Sequence, residues 1–476
     1  MKKAENYFKV SRYTIFEYLY RFAFVLILPV TQQILSCILD PSKIISAITT
    51  NTFLVFILVN WAYLECKSKK YSVKDSKLFF TKGFLINHEC SVDFCKLQSV
   101  LIRKNFLTLV FSANKLFFET SSSNKSKPDI SLTLNKKKSE SLVFEVIPLS
   151  QIKKTYKVKI SRVLLMSLTW SNPLTGLLLL SPFFERIGKM MGNKLRDKFY
   201  STIDSNLDFA LLGVSPLITA IIRILIVGWF VAFFVHMFKF INFKSNWMKN
   251  VVFINKGILV NLQIAICLNN VNVIMLRQTL IMKFLKIYNV YVDVNSCKKN
   301  KKDQNLVLLY SRKEEIEKVL EDFFIFPAHN NEKIKMSPET RNGFILAPSI
   351  IFVTSIIIFI FVILNKHKNI YLAFSIFYIM FSIWWLCLKI LAFKISGVSL
   401  EQKNIVISSY NYFSIYSSVI SIDKVQLFKI YQSLPQKKSK LCSVEFFLFS
   451  KNKKRFKVDN LQLSKVEKLL SIIKEF

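Results

Sequence analysis

The chain has 476 residues, a formal net charge of +37, 52% hydrophobic residues and a mean hydropathy of +0.35. A soluble globular domain rarely joins a positive mean hydropathy to 20% charged residues. The two are segregated along this chain, which excludes an ordinary soluble protein and points to a bilayer. With 9 Gly against 45 Phe, and no G-x-x-x-x-G-K-[ST], G-x-S-x-G or G-x-G-x-x-G, the chain carries none of the phosphate loops or nucleophile elbows that mark nucleotide-driven pumps and hydrolases.

Taken in chain order, the N-terminus is basic and then apolar. Pro29, Gln32 and Gln33 stand where a signal peptide would place small residues for cleavage, so a retained first span is expected. Six segments hold enough apolar residues to cross a ~30 Å hydrocarbon core as helices: 19–39, 44–64, 162–182, 211–238, 343–364 and 370–392. They form three hairpins. Asp40-Pro41-Ser42-Lys43 closes the first, residues 183–210 join the second pair, and 365–369 join the third. Lys and Arg concentrate in residues 1–16, 65–162, 241–341 and 393–476, which hold 55 of the 67. Only 8 lie in the opposite loops. The positive-inside bias then predicts both termini and all three basic blocks on the cytoplasmic side, and the Lys, Asn, Ile and Phe bias of an AT-rich genome points to a bacterial cell membrane. The expected organisation is 1–64 (N-terminal segment and hairpin 1), 65–160 (domain 1), 161–240 (hairpin 2 with loop 183–210), 241–341 (domain 2 and linker), 342–392 (hairpin 3) and 393–476 (domain 3).

Inside each block the hydrophobic period changes to two. Strands are predicted at 78–86, 107–111 and 115–120, at 251–261, 288–294 and 306–310, and at 405–409, 416–422 and 443–450. Helices are predicted at 311–324, opened by a capping box of Ser311 with Glu314, and at 463–476, with Ser464 and Glu467. The first block ends less clearly, around 146–157.

The blocks also repeat. At an offset of 174 residues Lys82-Gly83 falls on Lys256-Gly257, and Arg103 on Arg277. At an offset of 328, Lys96-Leu97-Gln98 falls on Lys424-Val425-Gln426, Gly83 on Asn411, and Tyr431 takes the place of Arg103. Gly83, Gly257 and Asn411 are residue types that tolerate a left-handed turn, so a common hairpin is expected there.

This pattern of strand, Lys-Gly, strand, and hydrophobic-Gln-hydrophobic after a membrane hairpin resembles the bacterial pleckstrin-homology-like domain, type 2. Three hairpins with three such domains resemble the YdbT-like branch of membrane proteins. The resemblance implies an α+β membrane protein with six transmembrane helices in three hairpins. Each hairpin would be followed by a cytoplasmic pleckstrin-like β domain of seven strands with a C-terminal helix. It implies no catalytic residues and a role in envelope stress or in resistance and self-immunity to membrane-active antimicrobial peptides. Partners would be an antimicrobial peptide, a second pleckstrin-like membrane protein or an ABC transporter. The alternative is a scaffold binding anionic lipid or a partner protein.

The residues themselves offer few sites. The four histidines, His88, His236, His329 and His367, are dispersed, and the eight cysteines form no C-x-x-C. No metal site, cofactor or catalytic constellation is expected, and the cysteines are read as free thiols in a reducing compartment. Arg21 and Arg223 fall inside predicted spans, where a charge is costly and suggests either a function or a bond to a neighbouring helix. Arg21 is read as snorkelling to the cytoplasmic face, and Arg223 as a structural bond before a ligand contact. Lys67, Lys69, Lys70, Lys153 and Lys154 lie beside spans and are candidates for anionic headgroups. Nucleic acid is not expected, since the charge is spread over three membrane-tethered blocks with no nucleic-acid-binding motif. Residues 183–210, with Phe183, Phe184, Ile187, Met190 and Met191 on one side, read as a connector or as an amphipathic outer loop facing an external peptide.

Overall fold

The computed structural model describes residues 7–20, 44–120, 129–147, 151–172, 175–176, 178, 216–294, 305–321, 323, 333–364, 369–401, 404–411, 414–448 and 455–475. Among the described residues the strands and the helices that follow them come three times in the same order, with one apolar helix described in the first set and two in each of the others. The first set is β1 (Phe8–Lys9), α1 (Ile44–Ser68), β2 (Lys70–Lys74), β3 (Lys77–Lys82), β4 (His88–Asp93), β5 (Leu97–Asn105), α2 (Phe106–Val110), β6 (Ala113–Thr120), β7 (Ile130–Asn135) and α3 (Lys136–Val146). The second is β8 (Lys154–Lys157), α4 (Ile160–Trp170), α5 (Pro216–Phe240), β9 (Lys244–Trp247), β10 (Val251–Lys256), β11 (Val260–Cys267), β12 (Val271–Gln278), α6 (Leu280–Phe284), β13 (Ile287–Val294), β14 (Leu306–Arg312) and α7 (Lys313–Leu320). The third is β15 (Ile334–Lys335), α8 (Arg341–Leu364), α9 (Asn369–Ile395), β16 (Gly397–Glu401), β17 (Asn404–Asn411), β18 (Ser414–Ser421), β19 (Val425–Tyr431), α10 (Leu434–Lys438), β20 (Leu441–Leu448), β21 (Arg455–Gln462) and α11 (Leu463–Glu475).

The fold is therefore α+β, with several antiparallel sheets. Among the described residues three helices are long and apolar enough to cross a membrane: Ile44–Ser68, Pro338–Leu364 and Phe374–Ile395. Ile160–Trp170 and Ile224–Phe240 are apolar but shorter. Of the expected first span, 19–39, only residues 19–20 are described, at the end of a helix over 13–20; the rest lies outside the described residues, as does 183–210. Helix α1 leaves Phe53, Phe56 and Trp61 exposed, surface that a bilayer would cover at no hydrophobic cost. Helices α8 and α9 are joined by a 2.9 Å bond between the Ser355 and Ser382 hydroxyls, both buried, the small-polar packing that holds apolar helices together where hydrophobicity cannot.

The chain forms two compact units. One comprises Met1–Lys154, Asn246–Asn255 and Leu259–Asn270; the other Thr155–Ser245, Lys256–Ile258 and Val271–Phe476. In the first, β1-β2-β3-β4 make one sheet, while β5-β6-β7 continue through β5 onto β11. Leu78, Phe80, Leu116, Phe118 and Leu132 fill its core with Leu142, Val143 and Val146 from α3. In the second, the sheet order is β14-β13-β12-β18-β17-β16-β15, and β19-β20-β21 stand as a separate sheet. Ile405, Ile407, Ile420, Phe446 and Val458 form a core closed by Val466, Leu469, Leu470 and Ile473 of α11, as the amphipathic pattern of that helix requires.

Several expectations are corrected. Residues 107–111 are not a strand: α2 occupies 106–110, because the Asn105 N–H donates to the Thr108 hydroxyl at 2.6 Å and starts a helical turn. The same turn recurs in α6, where Thr279 caps Met282, and in α10, where the Ser433 N–H donates to Gln436 at 2.9 Å. The predicted strands 78–86 and 251–261 each break at a glycine, Gly83 with φ +103° and Gly257 with φ +90°. A Cβ on Gly83 would stand 2.1 Å from the Ile86 carbonyl oxygen, so no other residue fits. Asn411 does not repeat this turn. It ends β17 in extended pairing opposite Ser414. The capping box of α7 lies one residue later than expected, with the Arg312 N–H donating to Glu315 at 3.0 Å, because Ser311 is engaged elsewhere. Ser464 already lies inside α11.

Candidate functional site at the foot of helix α4

A polar cluster of the second unit runs along α4. Strand β14 and helix α7 place Leu309, Tyr310, Ser311 and Glu315 in succession, and α4 presents Arg162 and Thr169. The Arg162 guanidinium grips Glu315 with two bonds of 2.7 Å each, the fork geometry that makes Arg–carboxylate pairs specific. Tyr156 donates to the Leu309 carbonyl at 2.8 Å and accepts from Ser311 at 2.9 Å. Thr169 and Tyr310 share a hydrogen bond between their hydroxyls, and the Tyr310 N–H donates to the buried Asn289 side chain at 2.9 Å. Arg277, on β12, lies 5.8 Å from the ring centres of both Trp170 and Tyr416 and donates to Ser414 at 3.0 Å.

The electrostatics follow from this pairing. The Arg162 guanidinium beside Glu315 holds its carboxyl below the usual carboxylate range. Burial pushes the Tyr156 and Tyr310 hydroxyls above their usual range. A proton-transfer site would need a group poised near neutral pH and facing a reactant. Here the carboxylate is neutralised and the phenols are protonated donors. The cluster is chemically suited to fastening an apolar helix to a sheet. Among the described residues no group of three or more His, Cys, Asp or Glu is arranged to hold a metal.

The first unit has a smaller mixed-charge recess at the foot of α1. Glu17, Tyr18, Lys69, Lys115, Ser131 and Thr133 line a cavity of about 60 Å³. Lys115 pairs with Glu17, Lys69 sits 4.8 Å from the Tyr18 ring centre, and Tyr18 donates to Glu65 at 3.3 Å. Lys67 and Lys70 flank this recess and are exposed, while Lys69 is half-buried. Lys153 is exposed and Lys154 opens β8. Two further cations lie by the apolar helices of the second unit. Lys389 of α9 donates to the Tyr410 hydroxyl at 3.1 Å and lies 4.5 Å from the Phe344 ring centre. Lys333, ahead of α8, donates to the Ile395 carbonyl at 2.5 Å and to Ser408 at 2.8 Å.

Of the residues singled out in the sequence, Arg277 is part of the cluster, whereas its repeat equivalent Arg103 is exposed and donates to its neighbour Asn105 at 3.0 Å. Arg21 lies outside the described residues, and Arg223 lies in α5 with its side chain outside them. Sequence reasoning missed Arg162, Glu315, Tyr156, Lys333 and Lys389. Arg162 and Glu315 are far apart in the chain, and no local pattern joins them. The one signal on offer was a lone arginine at the entry to an apolar run. No family model matches this sequence, and no curated protein matches it.

Proposed function

We propose that the chain is a non-enzymatic membrane scaffold with six spans in three hairpins and three cytoplasmic pleckstrin-like domains set against anionic lipid. The strand content supports this reading: each repeat supplies four strands, then three, then a helix (α3, α7 and α11). That is the seven-strand-plus-helix composition the resemblance implies. The observation that carries a scaffold over a catalyst is that three cations beside the apolar helices, Arg162, Lys333 and Lys389, are spent on structure. Arg162 of α4 binds Glu315 of α7, Lys389 of α9 binds Tyr410 of β17, and Lys333 bridges the end of α9 and Ser408 of β17, while Lys67 and Lys70 are left exposed at the foot of α1. Each exposed lysine held at an anionic surface contributes about 1 kcal/mol.

The test is lipid retention by the full chain purified in mild detergent. Anionic phospholipid should co-purify in excess over its share of the membrane, and K67S/K70S should reduce that excess. Equal retention of zwitterionic and anionic lipid would sink the reading. Protection against membrane-active peptides is the physiological output that the resemblance adds. A selective rise in the inhibitory concentration of one peptide class on expression would support it, and no change with the protein in the membrane would count against it.

A further inference from the structure

Two of the three repeats are joined to the next by the same device. The fifth strand of one repeat pairs antiparallel with the fourth strand of the next: β5 with β11, and β12 with β18. The registers agree. Arg103 faces Leu262 in the first junction and Arg277 faces Tyr416 in the second. Arg103 and Arg277 are 174 residues apart, and Leu262 and Tyr416 are 154 apart. The short helices α2, α6 and α10 begin at 106, 280 and 434, with those same two spacings.

Each half of this device is left over once. Strand β19 is the fifth strand of the last repeat and ends its three-stranded sheet; β4 is the fourth strand of the first repeat and ends its four-stranded sheet. Among the described residues β19 pairs only with β20, and β4 only with β3. The unpaired strand is also unusually apolar for an edge. Leu427, Ile430 and Tyr431 of β19 are 48%, 38% and 39% exposed, where Ser99 and Ile102 of β5 are 5% and 7%. Exposed apolar edges invite strand pairing, and folded proteins usually blunt them.

We infer that β19 of one copy pairs antiparallel with β4 of a second copy, continuing head to tail the junction that already links the repeats. The repeat alignment sets the register: Tyr431 opposite His88, Ile430 opposite Glu89 and Lys429 opposite Cys90. The last pair is the counterpart of Leu101 with Ile264 and of Met275 with Ser418. Strand β4 follows apolar helix α1 as β11 follows α5 and β18 follows α9. The second copy thus offers its edge from the same kind of anchored repeat. Such a contact is heterologous, so copies close into a ring or extend as a row.

Cysteine cross-linking of the full chain in its membrane tests this. Cys90 is exposed and free, and antiparallel partners place Cα atoms 4.5–5.5 Å apart, within disulfide reach. With the other cysteines replaced, K429C should link to Cys90 under mild oxidation and give dimers and higher species on a non-reducing gel. Where that position is the hydrogen-bonded pair, the adjacent I430C/E89C in a C90S chain is the non-bonded one and should link instead. I430C with Cys90 is out of register and should link at least several-fold less. L427K, a charge on an exposed edge position, should reduce the matched cross-link without changing membrane insertion. Matched pairs linking no better than the mismatched pair would overturn the proposal, and so would linkage to a different protein.

Discussion

The Arg162–Glu315 pair joins α4 to α7 across 153 residues of chain, and its side chains are 24% and 35% exposed. Partial exposure puts it between a surface pair, worth up to about 1 kcal/mol, and a buried pair whose breakage costs about 3–5 kcal/mol. Glu315→Gln is therefore expected to destabilise the detergent-solubilised chain by about 1–2 kcal/mol at pH 7. The pH dependence follows from the direction of the shift. The folded carboxyl sits below its unfolded value, so its contribution is present above about pH 4.5 and is lost as pH falls through the folded value. Thermal unfolding of parent and variant should therefore converge toward acid pH, and an equal difference at pH 7 and pH 3 would refute the assignment. Lys333 gives the opposite limb. Burial lowers its pKa to about 8, so between about pH 8 and 10.5 the unfolded chain binds more protons and stability from this group rises with pH. Lys333→Met should remove that rise, read as a flatter melting temperature from pH 8 to 10.

At the level of elements, a close approach of two glycines decides how α4 and α5 meet. A Cβ on Gly176, just beyond α4, would stand 1.7 Å from the Gly228 carbonyl oxygen in α5. Backbone, and not a flexible side-chain tip, would have to move. Small residues permit such contacts between apolar helices, where packing replaces the hydrophobic drive. Gly176→Leu should lower the yield of folded, detergent-stable protein sharply, while Gly343→Ala, which meets nothing within 4 Å, should not. The patterns that became β6, β17, β18 and β20 were legible as short alternating apolar runs, and β13 and β14, buried on both faces, as short apolar runs rich in β-branched and aromatic residues. The repeat spacing was legible too, and the structure reproduces it in α2, α6 and α10. What eluded the sequence was short-range competition and long-range pairing. LTLVF alternates like a strand, but a cap at Asn105 turns it into helix. Helix α3 was hidden because its first turn is Lys136-Lys137-Lys138 and its apolar face has few residues. Tyr156, Ser311 and Glu315 meet Arg162 only once two distant segments fold, and no local periodicity encodes that.

For the whole molecule, the distribution of charge makes a statement about sidedness that chemistry can check. The Lys and Arg excess in 65–162, 241–341 and 393–476 predicts that all three β-rich blocks share the cytoplasmic face. Cys95 is a suitable reporter: it is exposed, in the turn Phe94–Lys96 between β4 and β5. Cys442 is buried, and its thiol is pushed up to about 11, mainly by that burial. Only thiolate reacts readily, so Cys442 should stay silent in folded protein whichever side the reagent is on. A membrane-impermeant maleimide should label Cys95 in inverted vesicles and leave it unlabelled in intact cells, with Cys442 labelled only after denaturation. Introducing a cysteine at Lys437, in the last block, should give the same sidedness as Cys95. Labelling of both from outside would invert the topology. Labelling on opposite sides would mean an odd number of crossings between residues 95 and 437 and would rule out three complete hairpins.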